Sequence, residues 1–181
     1  MAMRTSYVPW VVGAGVLIGS FLITLWLTEP ITGPNLGSAP PNKGAEVLAA
    51  HLVPNEEILS GAATAAGLQR SDKLSGYVDG VTRLNKDQVR IGGWAADSIG
   101  QGTPITVLVF ADGKNVFATQ TKGARSDVAD ALKLSAAAAA NVAFEGVLSC
   151  GPGQTLFAVA VTQSNLYAAL GHAAGPLVCP G

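Results

Sequence analysis

The sequence predicts a mainly β protein, an antiparallel β-sandwich with one or two short helices, preceded by a single N-terminal transmembrane helix. Apolar residues alternate with a period of two over much of residues 74–181, which is typical of strands with one buried face. Short strands follow one another without a regular strand-helix-strand rhythm, which favours antiparallel sheets. Residues 8–27 carry no charge, and about 20 apolar residues in a helix cross the roughly 30 Å core of a bilayer.

The apolar run at residues 8–27 reads VPWVVGAGVLIGSFLITLWL. It is longer than the core of a cleavable signal and no small-residue cleavage site follows it, so we expect it to remain attached. Arg4 precedes the run and Glu29 follows it. Because positive charge stays on the cytoplasmic side, residues 1–7 are predicted to be cytoplasmic. The main domain is then predicted to lie on the opposite side of the membrane.

Small residues form a strip within the predicted membrane helix. Gly15 and Gly19 stand four apart, and Ser20 lies beside them. This spacing lets a second helix approach closely, so the strip predicts lateral packing with another membrane protein. The alternative is that glycine is simply common in membrane helices.

The residues after the anchor divide into a tether and a short helical segment. Residues 28–44 are rich in Pro, Gly, Asn and Ser, which predicts an extended tether. Residues 45–70 have apolar side chains near helical spacing and are predicted to form two short helices broken before Pro54, with Asn55 as an N-cap. The formal net charge of the whole chain is −1, which argues against a nucleic-acid partner.

The clearest strand signal is a hairpin centred on Asp112-Gly113. This pair suits the positive φ angles of a type I′ turn, so residues 105–111 and 114–121 are predicted to pair. The first of these strands is apolar on both faces, which indicates that both faces are covered. Residues 76–82 and 88–95 are predicted as two earlier strands joined by a polar loop.

A helix and the remaining strands are predicted after the hairpin. Ser126 is the expected N-cap of a helix with an Ala-rich extension. Residues 142–149 and 156–162 are expected strands with Gly151-Pro152-Gly153 as the turn between them, and residues 165–170 and 177–179 are expected to complete the sheet.

The two cysteines, Cys150 and Cys179, both lie near the C-terminus. In an oxidising compartment they would form one disulfide, worth about 3 to 4 kcal/mol on the chain-entropy model. The alternative is a pair of buried thiols in a reduced domain. His51 and His172 lack the paired spacing of a zinc site, and we expect no metal and no cofactor.

Several motifs carry a resemblance to a known kind of module. They are Gly93-Trp94-Ala95, Asp97, the strand after Pro104, Asp112-Gly113, Arg125-Ser126-Asp127-Val128 and Phe144. Over residues 76–162 the chain resembles the bacterial accessory β-sandwich modules with a GWA, DG, RpDV and GF pattern that occur in surface proteins and beside glycosyltransferases. Ser126 stands where that pattern usually has Pro. The resemblance implies a bacterial, non-catalytic module near envelope polysaccharide.

Each candidate site residue has a structural alternative. Trp94 is expected to anchor the core by filling the space that its small neighbours leave, and its alternative role is to stack on a sugar, as Tyr77 and Tyr167 also could. Arg125 and Asp127 are expected to form a structural corner of a cap and a salt bridge that ties a helix to the sheet, and ligand binding is their alternative. Asp79, Asp97 and Asp112 are explained by turns better than by a Ca²⁺ site.

No catalytic motif was found in the sequence: there is no nucleophile elbow, HExxH, P-loop or CxxC. We therefore expect a non-catalytic, single-pass accessory or interaction subunit of a bacterial envelope membrane complex. Its predicted location is the bacterial inner membrane, with the domain in the periplasm. The alternative function is a membrane-anchored saccharide-binding module, and a hydrolase of unrecognised chemistry is a weaker third.

Overall fold

The computed structural model describes residues 42–100, 102–173 and 175–181. The predicted cytoplasmic stretch, the membrane helix with Gly15, Gly19 and Ser20, and most of the tether lie outside these residues. Of the helices in the described part of the chain, none combines the length and the apolar character needed to span a bilayer.

Within the described residues the chain forms four helices and nine strands. The helices are α1 (Lys43–Ala49), α2 (Glu56–Ala65), α3 (Ser126–Leu132) and α4 (Ala136–Ala139). The strands are β1 (Gln69–Arg70), β2 (Leu74–Arg83), β3 (Gln88–Asp97), β4 (Thr106–Ala111), β5 (Lys114–Gln120), β6 (Ala143–Ser149), β7 (Leu156–Val161), β8 (Leu166–Ala169) and β9 (Gly171–His172). The predicted mainly β composition with few helices is confirmed.

The strands form two sheets, which is consistent with the predicted sandwich. The larger sheet has the order β1-β8-β7-β4-β5, and the smaller sheet has the order β6-β3-β2-β9. Their apolar faces share one core, to which Ile91 and Phe144 of the smaller sheet and Val107 of the larger sheet contribute. Most neighbouring strands are antiparallel, but β1 pairs with β8 and β2 pairs with β9 in parallel. The expectation of a wholly antiparallel fold is therefore wrong at these two short edge strands.

The predicted hairpin between β4 and β5 is confirmed. Asp112 and Gly113 have φ angles of 47° and 84°, as a type I′ turn requires. Every residue of β4 is buried. Val107 and Val109 face the core between the sheets, and Phe110 faces the opposite side. The prediction that this strand is covered on both faces is thus also confirmed.

Helices α1 and α2 form the layer that covers the outer face of the larger sheet. Leu48, Leu59 and Leu68 pack there against Phe110 and Val159, in a second apolar cluster. The break around Pro54 is found as predicted, and Asn55 caps α2 by accepting a hydrogen bond from the backbone N–H of Ile58 at 3.1 Å. The helical segment is therefore packed on the sheet and is not part of the tether.

The tether was predicted to extend to residue 44, but α1 already begins at Lys43. The reason is the capping residue Asn42. Its side chain accepts a hydrogen bond from the Ala45 N–H at 3.0 Å and donates one to the Thr162 carbonyl at 2.7 Å. A side chain that caps a helix and binds a strand end fixes the helix start at this point.

The later elements differ from the sequence expectation in three places. Residues 151–153 do not close a hairpin, because β6 belongs to the smaller sheet and β7 to the larger one. The residue at the N-cap of α3 is Arg125, one before Ser126. The Ala-rich extension is a separate helix, because Lys133 takes a left-handed conformation with φ 52° and ends α3.

Residues 177–179 form no strand of their own. Val178 forms an isolated bridge with Thr155, and the Leu177 carbonyl accepts a hydrogen bond from the Leu156 N–H of β7 at 2.7 Å.

Candidate binding face

Tyr77 and Trp94 are cross-strand neighbours on the outer face of the smaller sheet. They lie directly opposite each other on β2 and β3, and Ala143 of β6 lies on the other side of Trp94. Directly opposed residues in antiparallel strands share a face, so the two rings form one row. Both side chains are half-buried. The two aromatic residues are therefore placed together on a face that α1 and α2 do not cover.

Trp94 lies outside the main core, so the expectation that it anchors the core is wrong. It packs against a small cluster that contains Ala96, Val128 and Val142, where α3 meets the sheet. The main core between the sheets is filled by other residues. One side of the indole is thus held by the protein while part of the ring remains accessible.

Tyr167 is not part of this face. It belongs to β8 of the larger sheet and is only 5% exposed within the cluster beneath α1 and α2. The expectation that Tyr167 could stack on a ligand is therefore wrong, because the helical layer covers it.

A row of two glycines lies beside the aromatic row. Gly80 of β2 and Gly92 of β3 are directly opposed, and Glu145 of β6 lies on the other side of Gly92. A methyl group at Gly80 would meet no atom within 4 Å, and one at Gly92 would meet only the Phe144 carbonyl oxygen at 3.7 Å. Neither glycine has a positive φ angle. Internal packing and backbone conformation therefore leave room for larger residues at both positions.

The next row along the same strands is polar. Thr82 of β2 is opposed to Arg90 of β3, and both are exposed. The Arg90 Nε lies 3.2 Å from Glu145 Oε1 on the neighbouring strand. The glycine row is thus bordered by rings on one side and by a hydroxyl and an ion pair on the other.

Arg125 closes one end of this region. Its guanidinium binds Asp127 through two bonds, from Nε to Oδ1 at 2.8 Å and from Nη2 to Oδ2 at 2.6 Å, and it binds Asp79 Oδ2 through Nη1 at 2.7 Å. The first pair lies at the start of α3 and the second reaches β2, so Arg125 connects this helix to the smaller sheet. The salt-bridge part of the predicted corner is therefore present, but the cap is not, because the Arg125 side chain at the N-cap of α3 forms no capping hydrogen bond.

The same contacts shift the pKa values of the two partners. The bidentate hydrogen bond from Arg125 lowers the pKa of Asp127 to about 2, and the hydrogen bonds to Asp127 and then to Asp79 raise the pKa of Arg125. Both groups therefore stay charged over the whole range in which the protein would work.

The glycine row and the polar residues beside it border an open groove of about 530 Å³, and Tyr77 and Trp94 lie in the neighbouring row without lining it. Gly80 and Gly92 form its floor, and its charged rim is Asp79, Arg90, Lys122, Arg125 and Glu145. We call this feature the glycine groove. The glycine groove was not predicted from the sequence, although the period of two in β3 indicates part of it. Counting back from Trp94 in steps of two gives Gly92 and Arg90, which must lie on the same face of the strand as Trp94.

The disulfide between Cys150 and Cys179 is present, as predicted, and the two Cα atoms are 6.1 Å apart. It joins the end of β6 to the C-terminal segment that pairs with Thr155. Beside it, the Arg83 guanidinium donates hydrogen bonds to the carbonyls of Cys150 and Pro180. The C-terminal segment is thus fixed by a covalent bond and by an arginine.

The other acidic candidates occupy turns. The Asp97 carboxylate accepts a hydrogen bond from the Ile99 N–H at 3.1 Å, and Asp112 accepts one from the Thr155 N–H at 3.0 Å. His51 lies in the turn after α1, and the exposed His172 ring contacts the Ala173 carbonyl at 2.8 Å. Across the three described ranges, His, Cys, Asp and Glu side chains do not gather in any group of three that could hold a metal ion.

Comparison of the chain with protein-family models, with curated proteins and with solved structures finds no match in any of the three.

Proposed function

We propose that this chain is a non-catalytic, single-pass accessory subunit of a bacterial envelope membrane complex that exposes its β-rich sandwich domain in the periplasm. The observation that carries this proposal is the Cys150–Cys179 disulfide, because disulfides form and persist in oxidising compartments outside the cytoplasm. The uncharged run at residues 8–27 supplies the anchor. The resemblance to bacterial surface modules supports the same setting.

The interaction role is supported by the difference between the two outer faces. The outer face of the larger sheet is buried beneath helices, whereas the outer face of the smaller sheet keeps two half-buried rings and a charged groove accessible. Within the membrane, the strip of Gly15, Gly19 and Ser20 is the proposed contact with a partner helix.

Mild-detergent extraction tests the subunit role. We expect the full chain to migrate in a stable larger complex, and the double variant Gly15→Ile/Gly19→Ile to be released from it, since bulky side chains prevent close helix approach. The matched control is Leu17→Ile/Phe21→Ile, which alters the same run outside the strip. A chain that is monomeric in every mild detergent would refute the proposal.

Thiol labelling tests the compartment. Cysteines bridged in the periplasm should label only after reduction. Full labelling of Cys150 and Cys179 in unreduced whole cells would contradict both the bridge and the location.

The row of Tyr77 and Trp94 favours a second candidate, a membrane-anchored saccharide-binding module. Exposed aromatic faces stack on sugar rings while polar neighbours bind the hydroxyl groups. The full chain should then be retained on cell-wall or secreted polysaccharide columns. Trp94→Ala should lose retention while its far-UV circular dichroism stays unchanged. Retention that is equal in the wild type and in Trp94→Ala would exclude the stacking role.

A further inference from the structure

The glycine groove has a shape that the fold does not require. Glycine inside a strand weakens it, and such a residue often marks a place where a ligand comes close to the backbone. At Gly93, by contrast, an added methyl group would clash with the backbone carbonyl oxygen of Tyr77 and lie 2.7 Å from Phe144 Cζ. Internal packing therefore explains the glycine at this position. Gly80 and Gly92 face solvent with space above them. The groove is therefore open for a molecule outside the chain.

The dimensions of the groove fit a short chain of sugar rings. The glycine row crosses β2 and β3 and ends at Glu145 of β6. Because neighbouring strands are about 4.8 Å apart, the row from Gly80 to Glu145 is about 10 Å long, with the two glycines as its floor and Glu145 at its end. Successive rows on one face are about 7 Å apart, which leaves a ring's width between the aromatic row and the row of Thr82 and Arg90.

The charges of the groove favour an uncharged occupant. Asp79 is paired with Arg125, and Glu145 is paired with Arg90. Lys122, which forms no ion pair with the described residues, is offset by the second carboxylate on Arg125, that of Asp127. The three cationic and three anionic side chains therefore sum to no net charge that would attract an ionic ligand, whereas hydroxyl groups can donate to the carboxylates and accept from the guanidinium groups while the ion pairs stay intact.

A protein strand fits this place poorly. The floor strand β3 has β2 on one side and β6 on the other, so its backbone groups already pair within the sheet. A peptide added to a sheet needs a free edge for its own hydrogen bonds, and the centre of a sheet face offers none.

We infer that the glycine groove binds an uncharged saccharide chain, with sugar rings over Gly80 and Gly92 beside Tyr77 and Trp94, and hydroxyl groups directed to Thr82, Arg90 and Glu145. This inference deepens the saccharide-binding candidate proposed above and rests on it. The residues that determine specificity are the two glycines, because they give the rings access to the sheet.

Filling the floor tests this inference directly. The full chain in mild detergent is titrated with cellohexaose and maltohexaose as neutral probes and with hexagalacturonate as a charged one. We expect at least one neutral probe to bind, and Gly80→Val and Gly92→Val each to raise its Kd by about tenfold or more. Gly61→Ala is the control, because an added methyl group at Gly61, as at Gly80, has no atom within 4 Å, but Gly61 lies in α2.

The variants separate loss of the site from loss of the fold. The Tm of Gly92→Val should be no lower than that of the wild type, since valine suits a strand better than glycine does. A neutral probe that binds equally well to the wild type and both valine variants would refute the groove but keep saccharide binding elsewhere. A preference for hexagalacturonate would refute the uncharged occupant. If no saccharide binds at all, the saccharide-binding candidate fails as well, whereas the subunit role is tested independently by extraction.

Discussion

The outer faces of the two sheets differ in how far they are covered by the rest of the chain. On the larger sheet, Leu108 and Phe110 of β4 and Val159 of β7 point away from the core between the sheets and are buried under α1 and α2. On the smaller sheet, the outward positions Arg90, Gly92 and Trp94 of β3 are not fully buried, whereas the next one, Ala96, is buried beside Val128 of α3. The first face is covered by α1 and α2, whereas the second is covered by α3 only at its Ala96 end and is accessible from Trp94 to Arg90. The comparison teaches that outward-facing side chains, more than the strands, decide which surface remains available.

Truncation of Phe110 gives the largest expected effect. Its side chain is fully buried between the larger sheet and the helices, and Phe110→Ala should cost about 3 to 5 kcal/mol of unfolding free energy, through lost burial and a cavity. Trp94→Ala should cost less, because the indole is half-exposed on the open face. Urea unfolding of both variants measures the difference. Equal losses would mean that the open face is as important to stability as the covered one.

Removal of the disulfide has the next largest expected effect. The bond joins positions 29 residues apart, and its loss in Cys150→Ser/Cys179→Ser should lower the unfolding free energy by about 3 to 4 kcal/mol on the chain-entropy model. Hydrogen exchange should accelerate at Val178 and Thr155, beside the bridge, before it does in α2. A chain whose unfolding midpoint is the same with and without reductant would contradict this prediction.

Alanine substitutions at two adjacent glycines of β3 compare the inner and the outer face of the smaller sheet. Gly93→Ala should lower the unfolding free energy by about 1 to 3 kcal/mol, because the added methyl group overlaps the Tyr77 carbonyl oxygen and the Phe144 ring. Gly92→Ala, one residue earlier and on the open face, should not destabilise, since its methyl group meets only an oxygen at 3.7 Å. Thermal unfolding of the pair is the measurement. A greater loss at Gly92 than at Gly93 would reverse the assignment of the two faces.

The smallest effect concerns the corner at Arg125. Because the pKa of Asp127 is lowered from its ordinary 3.8 to about 2, its ion pair stabilises the fold fully above the ordinary value and less as the pH falls through that range. Asp127→Asn should therefore flatten the dependence of the unfolding free energy on pH between about 4 and 2. Asp130→Asn on the same helix is the control, since no ion pair of Asp130 is found in the described residues. Identical pH profiles for Asp127→Asn and the wild type would show that the ion pair between Arg125 and Asp127 does not contribute to the unfolding free energy.

Local signals predicted much of the fold. The Asp112-Gly113 turn, the Asn55 cap and the doubly buried β4 each depend on residues within a few positions, and each is confirmed. The pairing of the two cysteines needed only the assumption of an oxidising compartment.

What could not be predicted depends on contacts between distant segments. Tyr167 is buried because helices about 100 residues earlier in the chain cover it, and no local sequence pattern shows this contact. The passage of the chain from one sheet to the other at residues 151–153 looks like an ordinary turn in the sequence. The glycine groove is intermediate: the period of β3 placed Gly92 beside Trp94, but its partner Gly80 needed the register of the sheet.

Asn42 connects the start of α1 to the end of β7. Its buried amide donates to the Thr162 carbonyl and to the Asn165 side chain at 3.2 Å while it caps α1. A pull or a rotation transmitted along the chain from the N-terminal side would therefore reach the larger sheet directly, through the end of β7, without first unwinding the helices.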